Sequence, residues 1–433
     1  MTAHVPPDTI RAWFAGAMSA MYAREVPLYA TLVEIVARVN GAVIAERGDT
    51  LPKGEIARLG AERHGAIRVG TAAELRDLAR VFAVMGMAPV GYYDLAPAGI
   101  PVHSTAFRPT TIAALQRSPF RIFTSLLRLD LIEDAALRTA AQDILSQRRI
   151  LSEEARALTT LNEREGGLSE GDARAFVTAA IETFRWQARA IVNRATYRRL
   201  VEAHRLVADI VAFRGPHINH LTPRTLDIDR AHSEMARCGM PAKAEIEGPP
   251  RRGVPILLRQ TSFHALEEEV RFGDGAGAHT ARFGEIEQRG AALTREGRAL
   301  YDRLLPDAAA GSFAAFPDDA HALRRERLAF FRYAVADTGR ANSPPTDASL
   351  DRLIEEGCLT AEPITYEDFL PVSAAGIFRS NLGTDRQQLY AATSSQQDFE
   401  EALGRPVIDP FALCEEEQRA SLTTARQMLG LPA

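Results

Sequence analysis

The chain has 433 residues, of which 46% are apolar and 25% charged, a composition typical of globular domains with an extensive core. The formal net charge is only -5 and no long run of Lys or Arg occurs, so we expect no nucleic-acid partner. Residues Met1 to Thr9 lack a signal-peptide pattern, and no run reaches the ~18 apolar residues of a membrane helix, so we expect no membrane segment.

The cysteines indicate a reducing compartment. Cys238, Cys358 and Cys414 are odd in number, far apart in sequence and free of CxxC spacing. This pattern favours neither a disulfide framework nor a zinc knuckle. We therefore expect a cytoplasmic protein.

The first structural change along the chain falls at His64. Residues 1–60 have apolar positions at three- and four-residue steps and are predicted to be helical, with Asp8 capping the first helix. From His64 the period becomes two, so that His64, Ala66 and Arg68 share one face of a predicted strand.

A helix and two more strands follow this strand. Thr71 and Glu74 form a capping-box pattern at the start of an amphipathic helix. Val90 to Leu95 and Val102 to Phe107 then predict two strands, separated by a Pro/Gly-containing turn. Residues 61–112 are therefore predicted to form one unit of strand, helix and strands.

A similar pattern begins at His220, after a segment of helical periodicity. A helix is predicted from about Asp229, with strands at Val254 to Phe263 and Arg282 to Gln288. The sequence thus predicts an N-terminal helical segment (1–60), a first module (61–112), a helical insertion (113–210), a second module (211–300) and a C-terminal extension (301–433) that completes the pocket.

The two histidines point to a metal site. If two such modules face each other, the side chains of His64 and His220 meet, and a carboxylate is available in Phe283 to Gly290. Glu285 and Glu287 lie on the same face of that strand, so alternation cannot choose between them. Two histidines and one carboxylate form an open site suited to iron(II). The alternative is that both histidines are structural and both glutamates solvated.

Two further polar residues share faces with these strands. Arg68 lies four residues after His64, about 13 Å along the strand, and its guanidinium could bind a carboxylate with paired N–H donors. Gln260 could donate a hydrogen bond to a metal-bound ligand. The alternatives are a surface arginine and a polar strand end.

Five motifs occur in an order that resembles a known family. They are Arg63-His-Gly-Ala-Ile-Arg-Val69, Ser104-Thr-Ala-Phe-Arg-Pro109, Asn219-His-Leu-Thr222, Gly284-Glu-Ile-Glu-Gln-Arg-Gly290 and Phe369-Leu-Pro-Val-Ser-Ala-Ala-Gly376. Together they span almost the whole chain. They resemble the 2-oxoadipate dioxygenase/decarboxylases, also called hydroxyglutarate synthases, whose core is similar to that of the vicinal oxygen chelate enzymes.

The resemblance implies an α+β fold in which paired βαβββ modules form a cupped metal-binding sheet, with helical insertions and a C-terminal extension. It implies His64, His220 and Glu287 as ligands of Fe(2+), and Arg68 as the residue that holds the distal carboxylate of the substrate. Val372 and Ser373 would line the pocket. The implied reaction is oxidative decarboxylation of 2-oxoadipate by O2 to 2-hydroxyglutarate and CO2, in lysine catabolism.

Other functions are compatible with the same residues. Another metal-dependent enzyme of this scaffold, either an isomerase or an extradiol dioxygenase, would use a similar ligand set. A non-catalytic helical interaction protein would need neither histidine for chemistry. Oxygen consumption, a catechol substrate and bound metal distinguish these alternatives.

Overall fold

The computed structural model describes residues 4–47, 53–308, 311–336, 349–370 and 396–432. Contacts within the chain divide it into two compact units. The first comprises Met1–Glu247, Gln260–Gln288 and Phe369–Val407, and the second Gly248–Arg259, Arg289–Asp368 and Ile408–Ala433. The prediction of a mixed α+β fold is confirmed, since the chain folds into helices and one large sheet.

Three helices open the first unit: α1 (Pro7–Glu25), α2 (Pro27–Arg47) and α3 (Lys53–Leu59). Asp8 does not cap α1, because Pro6 holds the cap position and the Asp8 carboxylate instead pairs with Arg11 at 2.8 Å.

Helix α2 is long and apolar enough to cross a membrane by length and composition. However, its apolar side chains pack in the hydrophobic core of the first unit, as those of a buried core helix do.

The first module begins with β1 (Arg63–Val69) and α4 (Ala72–Val84). Thr71 caps α4 by accepting a hydrogen bond from the Glu74 backbone N–H, while the Glu74 side chain accepts one from the Gly70 N–H at 2.8 Å. This is the predicted capping pattern, except that the Glu74 carboxylate accepts from the N–H of Gly70 and not from that of the capping residue Thr71.

Three antiparallel strands complete this module: β2 (Ala88–Asp94), β3 (Val102–Arg108) and β4 (Phe120–Leu127). The last of these lies beyond residue 112, in the segment predicted to be a helical insertion. All eight residues of β4 are buried, so the sequence has no alternation of apolar and polar residues that would mark a strand. Helix α5 (Ile112–Arg117) precedes it.

A helical layer follows β4. It contains α6 (Ala135–Ser146), α7 (Glu153–Glu165), α8 (Glu170–Glu182), α9 (Arg194–Ala203) and α10 (Arg205–Val211). Side chains from α8 join those of α1, α2 and α4 in one core beneath the sheet.

The second module repeats the order of the first. It starts with a short strand β5 (His220–Pro223) and α11 (Ile228–Arg237), which Asp227 caps. The strands β6 (Leu258–Ser262), β7 (Leu266–Phe272) and β8 (Gly275–Arg289) follow, and β7 and β8 form an antiparallel hairpin.

The two modules meet in one eight-stranded sheet. Its order is β2-β3-β4-β1-β5-β8-β6, with β7 beside β8. In each module the first strand lies parallel to the last, β1 to β4 and β5 to β8. The first strands of the two modules, β1 and β5, pair in antiparallel orientation. The opening residues of both modules therefore lie side by side at the centre of the sheet.

The second unit contains a two-stranded antiparallel sheet of β9 (Phe331–Val335) and β10 (Leu359–Pro363). The helix α16 (Pro410–Met428) packs on β9, where Gln418 accepts a hydrogen bond from the Phe331 N–H at 2.7 Å. The remaining helices of the C-terminal region are α12 (Arg295–Leu304), α13 (Ala320–Arg325) and α14 (Leu350–Glu355) in this unit and α15 (Gln396–Leu403) in the first.

Candidate active site

The two histidines lie on one face of the sheet where the modules meet. His64 is the second residue of β1 and His220 the first residue of β5. Across the antiparallel pair, Ala66 lies opposite His220, and His64 lies opposite Thr222. Residues two apart on a strand share a face, so both imidazoles project to the same side. Their ring centroids are 5.4 Å apart, and both side chains are buried.

Glu285 completes a cluster with these histidines. One ligand atom from each of His64, His220 and Glu285 lies within 4.8 Å of the others. The His64 Nε2 atom is 3.1 Å from Glu285 Oε1. Three buried groups of this kind, two imidazoles and one carboxylate, form the donor set that binds divalent iron and related metals.

Glu287, the expected third ligand, lies beside the cluster. Its Oε2 atom is 3.0 Å from Nδ1 of His64, on the other side of the imidazole from Glu285. The register explains the difference, because Glu285 follows directly after the β5–β8 pair Leu221–Gly284, level with Thr222 and His64. Glu287 lies two residues further along β8. The three-residue cluster therefore contains Glu285 and not Glu287, the carboxylate that the resemblance implied.

The carboxylate of Glu285 is held by two neutral donors. Gln260 Nε2 donates to Glu285 Oε1 at 2.6 Å, and Thr222 Oγ1 donates to the same oxygen at 3.2 Å. The structure thus places Gln260 against the carboxylate of the cluster. Bonds of this kind orient a ligating carboxylate and are typical of the surroundings of metal sites.

Burial and neighbouring charges set the protonation of the cluster. Burial lowers the pKa of His220 to about 3, outweighing the opposite effect of Glu285, so its imidazole is neutral at pH 7. Burial also lowers the pKa of His64, but Glu287 and Glu285 more than offset this, and the net pKa is raised. Burial raises the pKa of Glu285, and both histidines reverse that shift, so the pKa is lowered.

One buried atom of His220 is consistent with a bound metal. The Nδ1 atom of His220 is buried and has no hydrogen-bond partner among the described residues. A buried polar atom without a partner is costly, whereas a metal ion would use a neutral imidazole nitrogen as a ligand. The neutral His220 and the ionised Glu285 therefore fit a divalent cation, which would take the place of the proton that the two glutamates favour on His64.

Two glycines next to His64 and Glu285 allow close packing on the other face of the sheet. A Cβ atom on Gly65 would lie 2.6 Å from Ile218 Cδ1, and one on Gly284 would lie 2.4 Å from Phe263 Cε1. Both distances are too short for non-bonded carbon atoms. A side chain at either position would displace the core behind His64 or Glu285.

Arg68 lies on the same face of β1 as His64 and is buried. Its Nη1 atom donates to Asp209 Oδ2 at 2.5 Å. Ser125 lies opposite Arg68 in β4, and its hydroxyl is 2.8 Å from that of Ser104. On this inner face Arg68 thus lies beside small hydroxyl side chains.

A family model described as 2-oxoadipate dioxygenase/decarboxylase matches residues 14–381. The chain belongs to this family.

Curated relatives extend over nearly the whole chain. A 2-oxoadipate dioxygenase/decarboxylase of Escherichia coli (strain K12) is 54% identical over 97% of this chain and 98% of the relative. One of Pseudomonas putida is 52% identical over 99% of this chain and 98% of the relative. A crystal structure of the hydroxyglutarate synthase from Pseudomonas putida in complex with 2-oxoadipate superposes with a TM-score of 0.92 at 50% identity, covering all of both chains.

The last family motif begins beside the cluster. The Phe369 ring packs edge-on against His64 at 5.0 Å and against Phe123 at 5.1 Å, and the Phe369 N–H donates to Tyr93 Oη at 3.3 Å. Val372 and Ser373, the expected pocket residues, lie outside the described residues.

Several polar residues near the site were not singled out from the sequence. Asp209 is one, and its signal is an acidic residue inside the apolar run Leu206 to Phe213. Lys243 is another: it is buried, and burial lowers its pKa, while Glu247 and Glu285 act in the opposite direction. Only two of the 51 Lys and Arg residues in the sequence are lysines, Lys53 and Lys243. This rarity of lysine could have drawn attention to Lys243.

Proposed function

We propose that this protein catalyses the conversion of 2-oxoadipate and O2 to 2-hydroxyglutarate and CO2. The observation that carries the proposal is the buried cluster of His64, His220 and Glu285 with Arg68 on the same inner face. Close relatives are named for this reaction, and one was crystallised with 2-oxoadipate. The reaction balances, since one carboxyl group leaves as CO2 and both oxygen atoms of O2 enter the products.

The proposed metal cofactor of the protein is Fe(2+). His64, His220 and Glu285 would hold it, and three protein ligands leave coordination positions for a substrate. When bound, iron(II) supplies the redox chemistry that O2 requires, together with a Lewis acid for the 2-oxo acid end. The chain's own contribution is to keep His220 unprotonated by burial and to orient Glu285 through Gln260 and Thr222.

We infer that Arg68 binds the distal carboxylate of the diacid. A guanidinium offers five N–H donors in a fixed plane and can bind a carboxylate through two of them. Its position four residues beyond His64 separates the two ends of the site along one strand. A flexible substrate fixed at both ends presents one carbon to the reacting centre.

Phe369 and the residues that follow it would form walls of the substrate pocket. The Phe369 ring packs against the imidazole of His64 and would limit the access of water to the cluster. Val372 and Ser373 follow within three to four residues of Phe369 and are proposed to line the substrate pocket. Gln260, bonded to Glu285, would contact the substrate end nearest the metal.

The cellular setting is proposed from chemistry. The cysteines at 238, 358 and 414 are free thiols. Free thiols and a ferrous site both favour the reducing cytoplasm. The proposed ligands of the protein are O2 and the small-molecule 2-oxo diacid.

The test is anaerobic purification followed by metal analysis and turnover. We expect one iron per chain, and one O2 consumed and one CO2 released for each 2-hydroxyglutarate, without an added reductant. Under labelled O2, one labelled atom should appear in the new carboxylate. An isomerase would act on its substrate without O2, so turnover of 2-oxoadipate in the strict absence of O2, or protein free of metal, would contradict the proposal.

A further inference from the structure

Asp209 is a buried carboxylate at the centre of a polar network behind Arg68. It belongs to α10, and its side chain is buried among apolar neighbours in sequence. Four side-chain nitrogen atoms surround its two oxygens: Arg68 Nη1 at 2.5 Å, His279 Nε2 at 2.9 Å, His217 Nε2 at 3.1 Å and Asn219 Nδ2 at 3.4 Å.

The network fixes the carboxylate as an anion. A carboxylate has about four lone-pair sites, the same as the number of surrounding nitrogen atoms. Burial alone would raise the pKa of Asp209, but His217, Arg68 and the hydrogen bonds from both imidazoles hold it well below its usual value. The Asp209 carboxylate therefore remains charged, and its orientation is set from several directions.

A second layer of contacts fixes the imidazole of His279. Tyr197 Oη lies 2.8 Å from its Nδ1 atom, and the Trp186 ring is parallel to it at 6.1 Å. If Nε2–H donates to Asp209, Nδ1 accepts from the tyrosine hydroxyl, so each polar atom has a matched partner. The chain of contacts runs from the half-buried Tyr197 through His279 and Asp209 to Arg68.

We propose that Asp209 is a positioning residue that holds the Arg68 guanidinium at one place on the inner face and thereby selects the chain length of the 2-oxo diacid. This inference rests on the proposed function, in which Arg68 binds the distal carboxylate. The observation that carries it is the direct contact of Asp209 with Arg68, supported by donors on three other residues, His217, Asn219 and His279.

The physical reason is the flexibility of arginine. An arginine side chain has many rotamers, and an unrestrained guanidinium could follow carboxylates at different distances from the cluster. Each added methylene lengthens an extended diacid by roughly 1.3 Å. A guanidinium fixed by Asp209 accepts one length well, whereas a mobile one accepts several lengths almost equally. Misplacement of a substrate by about 1 Å can cost a hundredfold in rate.

The experiment compares 2-oxo diacids of five, six and seven carbons in wild type and in Asp209→Asn. This change keeps the shape of the side chain and removes the charge. We expect the preference in kcat/KM for the six-carbon diacid over its neighbours to fall by about tenfold or more, mostly through KM. Iron content and the Kd of a 2-oxo monoacid, measured without oxygen, should stay within about twofold of wild type.

Two further variants separate positioning from a general structural effect. In an Arg68→Ala background, Asp209→Asn should change the chain-length preference by less than about twofold, because its effect passes through the missing guanidinium. Tyr197→Phe removes a hydroxyl from a half-buried position and keeps the ring. It should reduce the chain-length preference in the same direction, by about two- to fivefold.

The outcomes distinguish the inference from the function on which it rests. If wild type binds and turns over the six-carbon diacid but Asp209→Asn keeps the same preference, the positioning role is overturned. An equal loss of preference in the Arg68→Ala background would also overturn it, because Asp209 would then act independently of Arg68. If Asp209→Asn does not fold, the Tyr197→Phe preference decides in the same way. A wild type inactive on every diacid contradicts the proposed function instead.

Discussion

The two modules share the order of strand, helix and three strands, but their side chains differ in chemistry. β1 with α4 corresponds to β5 with α11, and each first strand lies parallel to the last strand of its own module. Both helices are capped by a side-chain oxygen at the end of the connection from the strand, Thr71 in the first module and Asp227 in the second. Both bury apolar residues in the same core. The repeated order of strands and helix therefore brings the two first strands, β1 and β5, side by side.

The inner faces of the modules differ. The first module provides His64 and Arg68 on one strand, and its last strand, β4, places Arg121 and Ser125 beside them. The second module provides His220, and its last strand, β8, carries Glu285. In the proposed site, one module would supply a ligand and the cation for the substrate, and the other would supply a ligand and the carboxylate. A duplicated fold thus carries an asymmetric set of side chains on its inner face.

The largest expected effect separates the two carboxylates of β8. Glu285→Ala should abolish turnover and remove bound iron, because it deletes one of three ligands from the cluster. Glu287→Ala should retain iron, since Glu287 contacts the other nitrogen of His64. Metal analysis of anaerobically purified variants measures both.

His64→Ala and His220→Ala are the matched controls for this comparison, and each should lose iron as Glu285→Ala does. If Glu287→Ala loses iron while Glu285→Ala keeps it, the ligand is Glu287, and the geometry of the cluster must change when the metal binds.

Acid sensitivity tests the first module alone. Burial, with a smaller contribution from Arg128, lowers the pKa of His103 on β3 to about 4, against 6.5 in the unfolded chain. The unfolded state therefore binds a proton first as the pH falls, and stability is lost between about pH 6.5 and pH 4. The loss is about 3 kcal/mol for this histidine.

His103→Gln removes this proton uptake, so the free energy of unfolding in urea should depend less steeply on pH over that range. The imidazole of His103 packs edge-on against Phe399 at 4.8 Å, so the variant should also be less stable at pH 7. An unchanged slope between pH 7 and about pH 4 would show that folding does not lower the pKa of His103.

The next effect concerns the cation of the first module. Arg68→Ala should lower kcat/KM for 2-oxoadipate by roughly ten- to a hundredfold, because a charge-assisted contact contributes about 1.5–3 kcal/mol. Iron content should be unchanged. The control is a 2-oxo monoacid, on which the variant should lose much less activity. If the ratio of the two activities stays at the wild-type value, Arg68 does not bind the distal carboxylate.

The sequence predicted the parts of the fold that alternate or carry a cap. β1 alternates at His64, Ala66 and Arg68, and the Thr71 cap is visible as a local pattern, so both were predictable. The two histidines follow from the repeat of strand and helix. The buried strand β4 was missed, because a strand covered on both faces has no period-two pattern.

The choice of carboxylate and the network behind Arg68 required the structure. Glu285 and Glu287 share a face, and only the pairing of β8 with β5 places Glu285 level with His64. Asp209 is 141 residues from Arg68 in sequence, and its partners His217 and His279 come from other segments. Long-range pairing of this kind leaves no local periodicity to detect.

The smallest effect compares the two helix caps. Thr71 Oγ1 accepts from the Glu74 N–H at 3.2 Å, and Asp227 Oδ1 accepts from the Arg230 N–H at 3.0 Å. Replacement of either by alanine should cost about 1 kcal/mol, and Asp227→Ala somewhat more, because a carboxylate also interacts with the positive end of the helix dipole. Hydrogen exchange of the Glu74 and Arg230 amides measures each loss locally. If α11 exchanges no faster in Asp227→Ala, its start is held by packing rather than by the cap, and the modules differ in this respect too.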